Sequence, residues 1–77
     1  EHTMRVGALL TNYETWDYTT RAVKELLRWS EQSLSRIVII DDASTTHGSI
    51  PSHPLIQVYR NPRNLGYAAS VNVGIKL

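Results

Sequence analysis

Two adjacent carboxylates, Asp41 and Asp42, follow four branched apolar residues and precede three small ones, Ala43, Ser44 and Thr45. The run Ile37, Val38, Ile39 and Ile40 suits a strand covered on both faces. In sheets of that kind ligands bind just past the carboxyl ends of the strands. The two acids therefore stand where an open α/β sheet does its chemistry. Two more polar clusters, at 11–14 and 61–66, leave the ends of neighbouring predicted strands and converge with 41–45 on one sheet edge. Together they offer an aromatic ring at Tyr13, two carboxylates and, past the third strand, a helix amino terminus able to face an anion. A planar base stacked on Tyr13, its ring N–H accepted by an aspartate, uses these groups economically. The plainer alternative is that aspartate ahead of serine and threonine caps a turn, with Tyr13 merely covering the sheet edge.

Other residues narrow the chemistry. No Gly-x-Gly-x-x-Gly follows the first strand and no glycine-rich loop ends in lysine, so neither a dinucleotide fingerprint nor a phosphate loop is present. His47 and His53 sit six residues apart in an irregular stretch, a spacing too loose for a metal site. Arg60 and Arg63 could reach phosphate, although loop arginines commonly meet only solvent or a nearby acid. Trp16 and Trp29 read as packing residues at helix ends.

The elements that must position these groups follow from periodicity. Residues 5–11 read as a first strand. From 16 to 32, Ala22, Val23, Leu26 and Leu27 recur at helical spacing, with Arg21, Lys24, Glu25 and Arg28 opposite. Asp17 suits the first turn of that helix. Residues 33–35 break the chain before a second strand at 36–40. The segment 46–54, with Gly48, Pro51 and Pro54, is a connector without a long helix. Residues 55–60 alternate as a third strand, and a second helix runs from Tyr67 onward, weakened by Gly74 by about 1 kcal/mol relative to alanine. Alternating strands and helices predict a parallel sheet with right-handed crossovers.

Bulk properties set the limits. The chain has 77 residues, eight basic and seven acidic, for a net charge of +1, and no cysteine. A domain this small buries only about 60% of its unfolded surface. No block of charge advertises nucleic acid or an anionic membrane, disulfides and thiolate metal sites are excluded, and no apolar run approaches a membrane span. The expectation is a soluble, cytoplasmic protein. Glu1, His2 and Thr3 ahead of Met4 read as an addition before a natural initiator, so residues 1–4 receive no role and 5–77 form the partial domain.

At this point three runs resemble a known family. VGALLTNYE at 6–14, IVIIDDAST at 37–45 with Gly48 and Ser49, and RNPRNLGYAA at 60–69 with NVGI at 72–75 resemble, in order and at strand ends, the amino-terminal part of the family 2 glycosyltransferases, with a rhamnosyltransferase-like flavour. The resemblance implies an α/β fold: a truncated Rossmann-like half of an A-type glycosyltransferase fold, three parallel strands with flanking helices, binding a nucleotide-diphospho-sugar. By the same resemblance Thr11 and Tyr13 pack on the nucleobase, and Asp42 accepts from its ring N–H. Asp41 is the alternative acceptor or a ribose contact. Asn64, Gly66, Tyr67 and Asn72 line the ribose and diphosphate side. The 46–54 connector is shorter than in relatives, and Asp42 stands where this branch often has asparagine.

The family's Asp-x-Asp metal motif, its catalytic base and its acceptor site follow later and are not among these residues. Transfer needs a carboxylate to deprotonate the acceptor hydroxyl and a divalent cation, Mg or Mn, to neutralise the leaving diphosphate. Asp41 and Asp42 diverge from one strand end and cannot supply both. The expectation is that the chain alone has no catalytic residue, no metal ligand and no transferase activity. Ending on a helix without its strand, it would leave the first-strand edge bare and form a homo-oligomer through that edge or by helix exchange. A non-catalytic stand-alone binding or oligomerising module of the same fold is the alternative. A phosphoacceptor receiver domain also carries an acidic pair at a strand end, but its acceptor aspartate would close the third strand, where Arg60 and Asn61 stand.

Overall fold

A computed structural model describes residues 6–30 and 34–76. The elements run β1 (Val6–Asn12), α1 (Trp16–Ser30), β2 (Leu34–Asp41), β3 (Ile56–Arg60) and α2 (Tyr67–Lys76). The strands form one parallel sheet in the order β1-β2-β3, so β2 is central. Three parallel strands and two helices are the architecture expected from the sequence.

Alternation along the strands sorts side chains to two faces. Ile37 and Ile39 are fully buried with Val23 of α1, and Ala8, Leu10, Leu26, Leu27 and Ile56 pack around them. On the opposite face Gly74 of α2 lies against Leu9, in line with Val38 and Ile40. Four consecutive apolar residues in β2 thus reflect a strand buried under a helix on each side. Ile50 and Leu55, from the ends of the irregular connector, close the α1 side of the core.

Several boundaries differ from the periodicity. Leu34 and Ser35 belong to β2, although the sequence reads 33–35 as a break: Leu34 pairs with Val6, and Ser35 lies at the register shift before the Gly7–Arg36 pair, a bulge without a β1 partner. β1 extends to Asn12, where the strand is held by pairing to Asp41. β3 begins at Ile56, one residue after the expected start, and past Ile56 its side chains are exposed. It is an edge strand left uncovered by either helix past Ile56, so alternation there does not mark a buried face. The expected helix end at 31–32, Arg5 of the first strand and the four residues before it lie outside the described residues. No described helix is long and apolar enough to cross a membrane.

Candidate functional site

Register and alternation decide what each residue touches at the carboxyl edge of the sheet. Asn12, Asp41 and Arg60 are paired neighbours on β1, β2 and β3. Asp41 Oδ1 accepts from Asn12 Nδ2 at 2.9 Å and Ser44 Oγ at 2.6 Å. Its Oδ2 accepts from the Ser44 amide at 3.2 Å and Arg60 Nη1 at 3.3 Å. Asn12 Oδ1 in turn accepts from Thr19 Oγ1 at 2.6 Å and Thr15 Oγ1 at 3.1 Å. One buried carboxylate and one buried amide therefore tie three strands to the start of α1. Buried polar groups require such complete pairing.

Asp42, one residue on, points to the α2 face. Its Oδ1 accepts from the Leu65 amide at 2.7 Å and Asn61 Nδ2 at 2.9 Å, and its Oδ2 from the Gly66 amide at 2.8 Å. Asn61 Nδ2 also donates to Ser70 Oγ of α2 at 2.9 Å. The Leu65 amide is foremost among the donors holding the Asp42 carboxyl below the usual carboxylate range, against the opposing pull of burial. A carboxylate at this place also suits the positive end of a helix. Gly66 opens α2 with φ of 89°, a left-handed conformation natural to glycine, and its carbonyl accepts the helix's first bond from Ser70 N at 3.0 Å.

Glu14 makes a third junction. At φ 56° it turns its carboxylate onto the connector. Oε2 accepts from the Thr45 amide and hydroxyl at 2.7 and 2.8 Å, and Oε1 from those of Thr46 at 3.2 and 2.7 Å. These donors, the Thr45 amide first, pull its pKa from 4.5 to about 2. The Glu14 amide donates to Ser44 Oγ at 2.9 Å, so the first and second loops are laced together. Trp16 continues the seam: its Nε1 donates to the Thr46 carbonyl at 2.9 Å, and its ring fills the space where a Cβ on Gly48 would be.

Between the first loop and the start of α2 lies a cleft of about 320 Å³ lined by Thr11, Asn12, Tyr13, Asp42, Asn64, Gly66, Tyr67 and Ser70. Of the residues expected from sequence, Thr11, Tyr13, Asp42, Asn64, Gly66 and Tyr67 meet here. Asp41 does not line the cleft, because strand alternation turns it to the α1 face. Asn72 is exposed on α2 outside the lining. Tyr13 is half exposed, as base stacking would need. Arg60 meets a nearby acid, Asp41, and the Ser44 carbonyl at 2.9 Å, which is the plainer of its two readings. A larger groove of about 530 Å³ flanks α1 near Trp16, Arg21 and His47 and includes none of the expected residues.

The residues that hold the cleft open were not singled out from sequence. Asn12, Glu14, Ser44, Asn61 and Ser70 are polar residues of ordinary loop types. Parity was the available signal. Counted from Ile37, Asp41 falls on the face of Ile37 and Ile39, and Asp42 on that of Val38 and Ile40.

Parallel strands, a helix on each face and a cleft past the strand ends define a Rossmann-like α/β unit. The sequence model of the glycosyl transferase family 2 matches residues 8–77, and the chain belongs to that family. No curated protein and no solved structure matches the chain significantly. The divalent cation associated with the family does not fit the described residues: no three His, Asp or Glu converge, and the oxygens of Asp41 and Asp42 already accept from protein donors.

Proposed function

We propose that this chain supplies the donor corner of a family 2 glycosyl transfer, binding the nucleotide of a nucleotide-diphospho-sugar whose glycosyl group passes to an acceptor hydroxyl. The observation that carries this is the convergence of Thr11, Tyr13, Asp42, Asn64, Gly66 and Tyr67 on one cleft. Tyr13 offers a face to the base. Asp42 Oδ2 accepts from the Gly66 amide, the Ser70 hydroxyl also donates to the carboxylate, and two carboxylate oxygens have further acceptor sites for a ring N–H, which uracil, thymine and guanine present and adenine and cytosine lack. The first amides of α2 have no intrahelical acceptors and favour a diphosphate beside them. Asp41 acts as a structural pin in this account. Asn72 is too far round α2 to share the cleft.

The rhamnosyltransferase-like flavour rests on the resemblance of the 6–14, 37–45 and 60–69 runs taken together, and the match to family 2 as a whole does not distinguish its branches. With both aspartates engaged, neither serves as a base, and a cation for the leaving diphosphate needs ligands from elsewhere. The 77 residues therefore bind a donor without transferring its sugar. Calorimetric titration of the chain with UDP, dTDP and GDP should give saturable one-to-one binding to at least one. No binding to any of them by a chain folded by circular dichroism would contradict the proposal. Sugar release above a no-protein control, abolished by Asp42→Ala, would overturn the non-catalytic part. The second reading, an oligomerising module, is favoured by the outer edge of β1, which no other described strand covers.

A further inference from the structure

We propose that Tyr67 is the second wall of an aromatic clamp, closing on a planar base from the side opposite Tyr13; this rests on the donor-site reading above. Both tyrosines line the same cleft with Asp42 between their loops, yet they come from different elements, the β1–α1 loop and the first position of α2. Tyr67 is 76% exposed and Tyr13 50% exposed. Aromatic rings left open beside a concave, mostly apolar floor with a few polar groups are surfaces that gain from a planar ligand.

The backbone at each ring is fixed and both rings line the cleft, whereas the exposed Tyr18 on the flank of α1 lies outside it, with Arg21 5.9 Å from its ring centre. Tyr13 is followed by Glu14, whose carboxylate grips Thr45 and Thr46 and whose amide donates to Ser44. Tyr67 is preceded by Gly66, whose amide is held by Asp42 Oδ2 at 2.8 Å. The carboxylate that reads the edge of the base thus also anchors the residue beside the second ring. A fixed backbone leaves only the side-chain torsions of each ring to be ordered, which limits the entropy that stacking costs.

Tyr67→Ala, Tyr67→Leu, Tyr67→Phe and Tyr13→Ala are titrated with UDP, dTDP, GDP and inorganic diphosphate, and the aromatic C–H proton of the bound base is followed by NMR. Loss of one stacking wall should weaken the preferred nucleotide by about tenfold in both alanine variants and in Tyr67→Leu. Tyr67→Phe should retain affinity, inorganic diphosphate should be unaffected, and the base proton's upfield ring-current shift should shrink on removal of either ring. Nucleotide affinity unchanged by Tyr67→Ala, or inorganic diphosphate weakened as much as nucleotide, would overturn the clamp and leave the donor site standing. Absence of nucleotide binding by the folded parent chain would overturn the donor site and the clamp with it.

Discussion

Asp41 and Asp42 are the same side chain one peptide bond apart, and strand alternation gives them different roles. Asp41 closes a network with Asn12, Ser44 and Arg60 on the α1 face, whereas Asp42 organises the start of α2 and faces the cleft. Asn12→Ala would take one donor from Asp41 and leave the buried Thr19 hydroxyl without its acceptor, and should destabilise the chain by about 1–3 kcal/mol, read from urea denaturation. Glu14 makes a pH-dependent clasp. Its pKa falls from 4.5 to about 2 on folding, so its contribution is fully present above about pH 4.5 and is lost as pH falls through about 2. Protection of the Thr45 and Thr46 amides against exchange, taken relative to the intrinsic rate at each pH, should fall across that window, and Glu14→Gln should remove that pH dependence at these two amides. Retention of it in Glu14→Gln would contradict the clasp. Sequence showed the acidic pair and Tyr13 because their types are conspicuous. Asn12, Asn61 and Ser44 are not legible, since an asparagine or serine becomes a structural pin only through its partners, some of them up to 32 residues away.

Helix and strand boundaries follow pairing as well as propensity. The period of Ala22, Val23, Leu26 and Leu27 foretold α1, and the four-residue apolar run foretold a central strand. Leu34 and Ser35 look like a break because serines cluster there, whereas β1 pairs with Leu34 and Ser35 bulges from the ladder at the register shift. Gly74 reverses its sequence meaning in the same way. Propensity alone has Gly74→Ala stabilising α2 by about 1 kcal/mol. In the structure a methyl group there would run into Leu9, so the substitution should destabilise by about 1–3 kcal/mol through overpacking. Leu9→Ala combined with Gly74→Ala should be less unstable than the sum of the two, and a stabilised single variant would show that α2 does not pack as described.

At the scale of the whole molecule, one sheet edge does the recognition and another is left bare. β1 is paired on one side only among the described residues, and beside it Gly7, Ala8, Leu9, Gly74 and Ile75 line a groove of about 300 Å³. Ile75 there is 70% exposed. Unpaired apolar edges associate, so the chain should sediment as a dimer or larger species at high micromolar concentration, with Ile75→Lys shifting it toward monomer; a clean monomer would contradict this. The central claim concerns the opposite end of the strands, where three loops build one nucleotide cleft. The most direct test is an amide NMR titration of the chain with UDP, dTDP and GDP. Saturable shifts should cluster at Thr11, Tyr13, Asp42, Asn64, Gly66 and Tyr67 and spare Asn72 and the α1 flank. Shifts concentrated along Arg21 and His47, or none at saturating nucleotide, would contradict it.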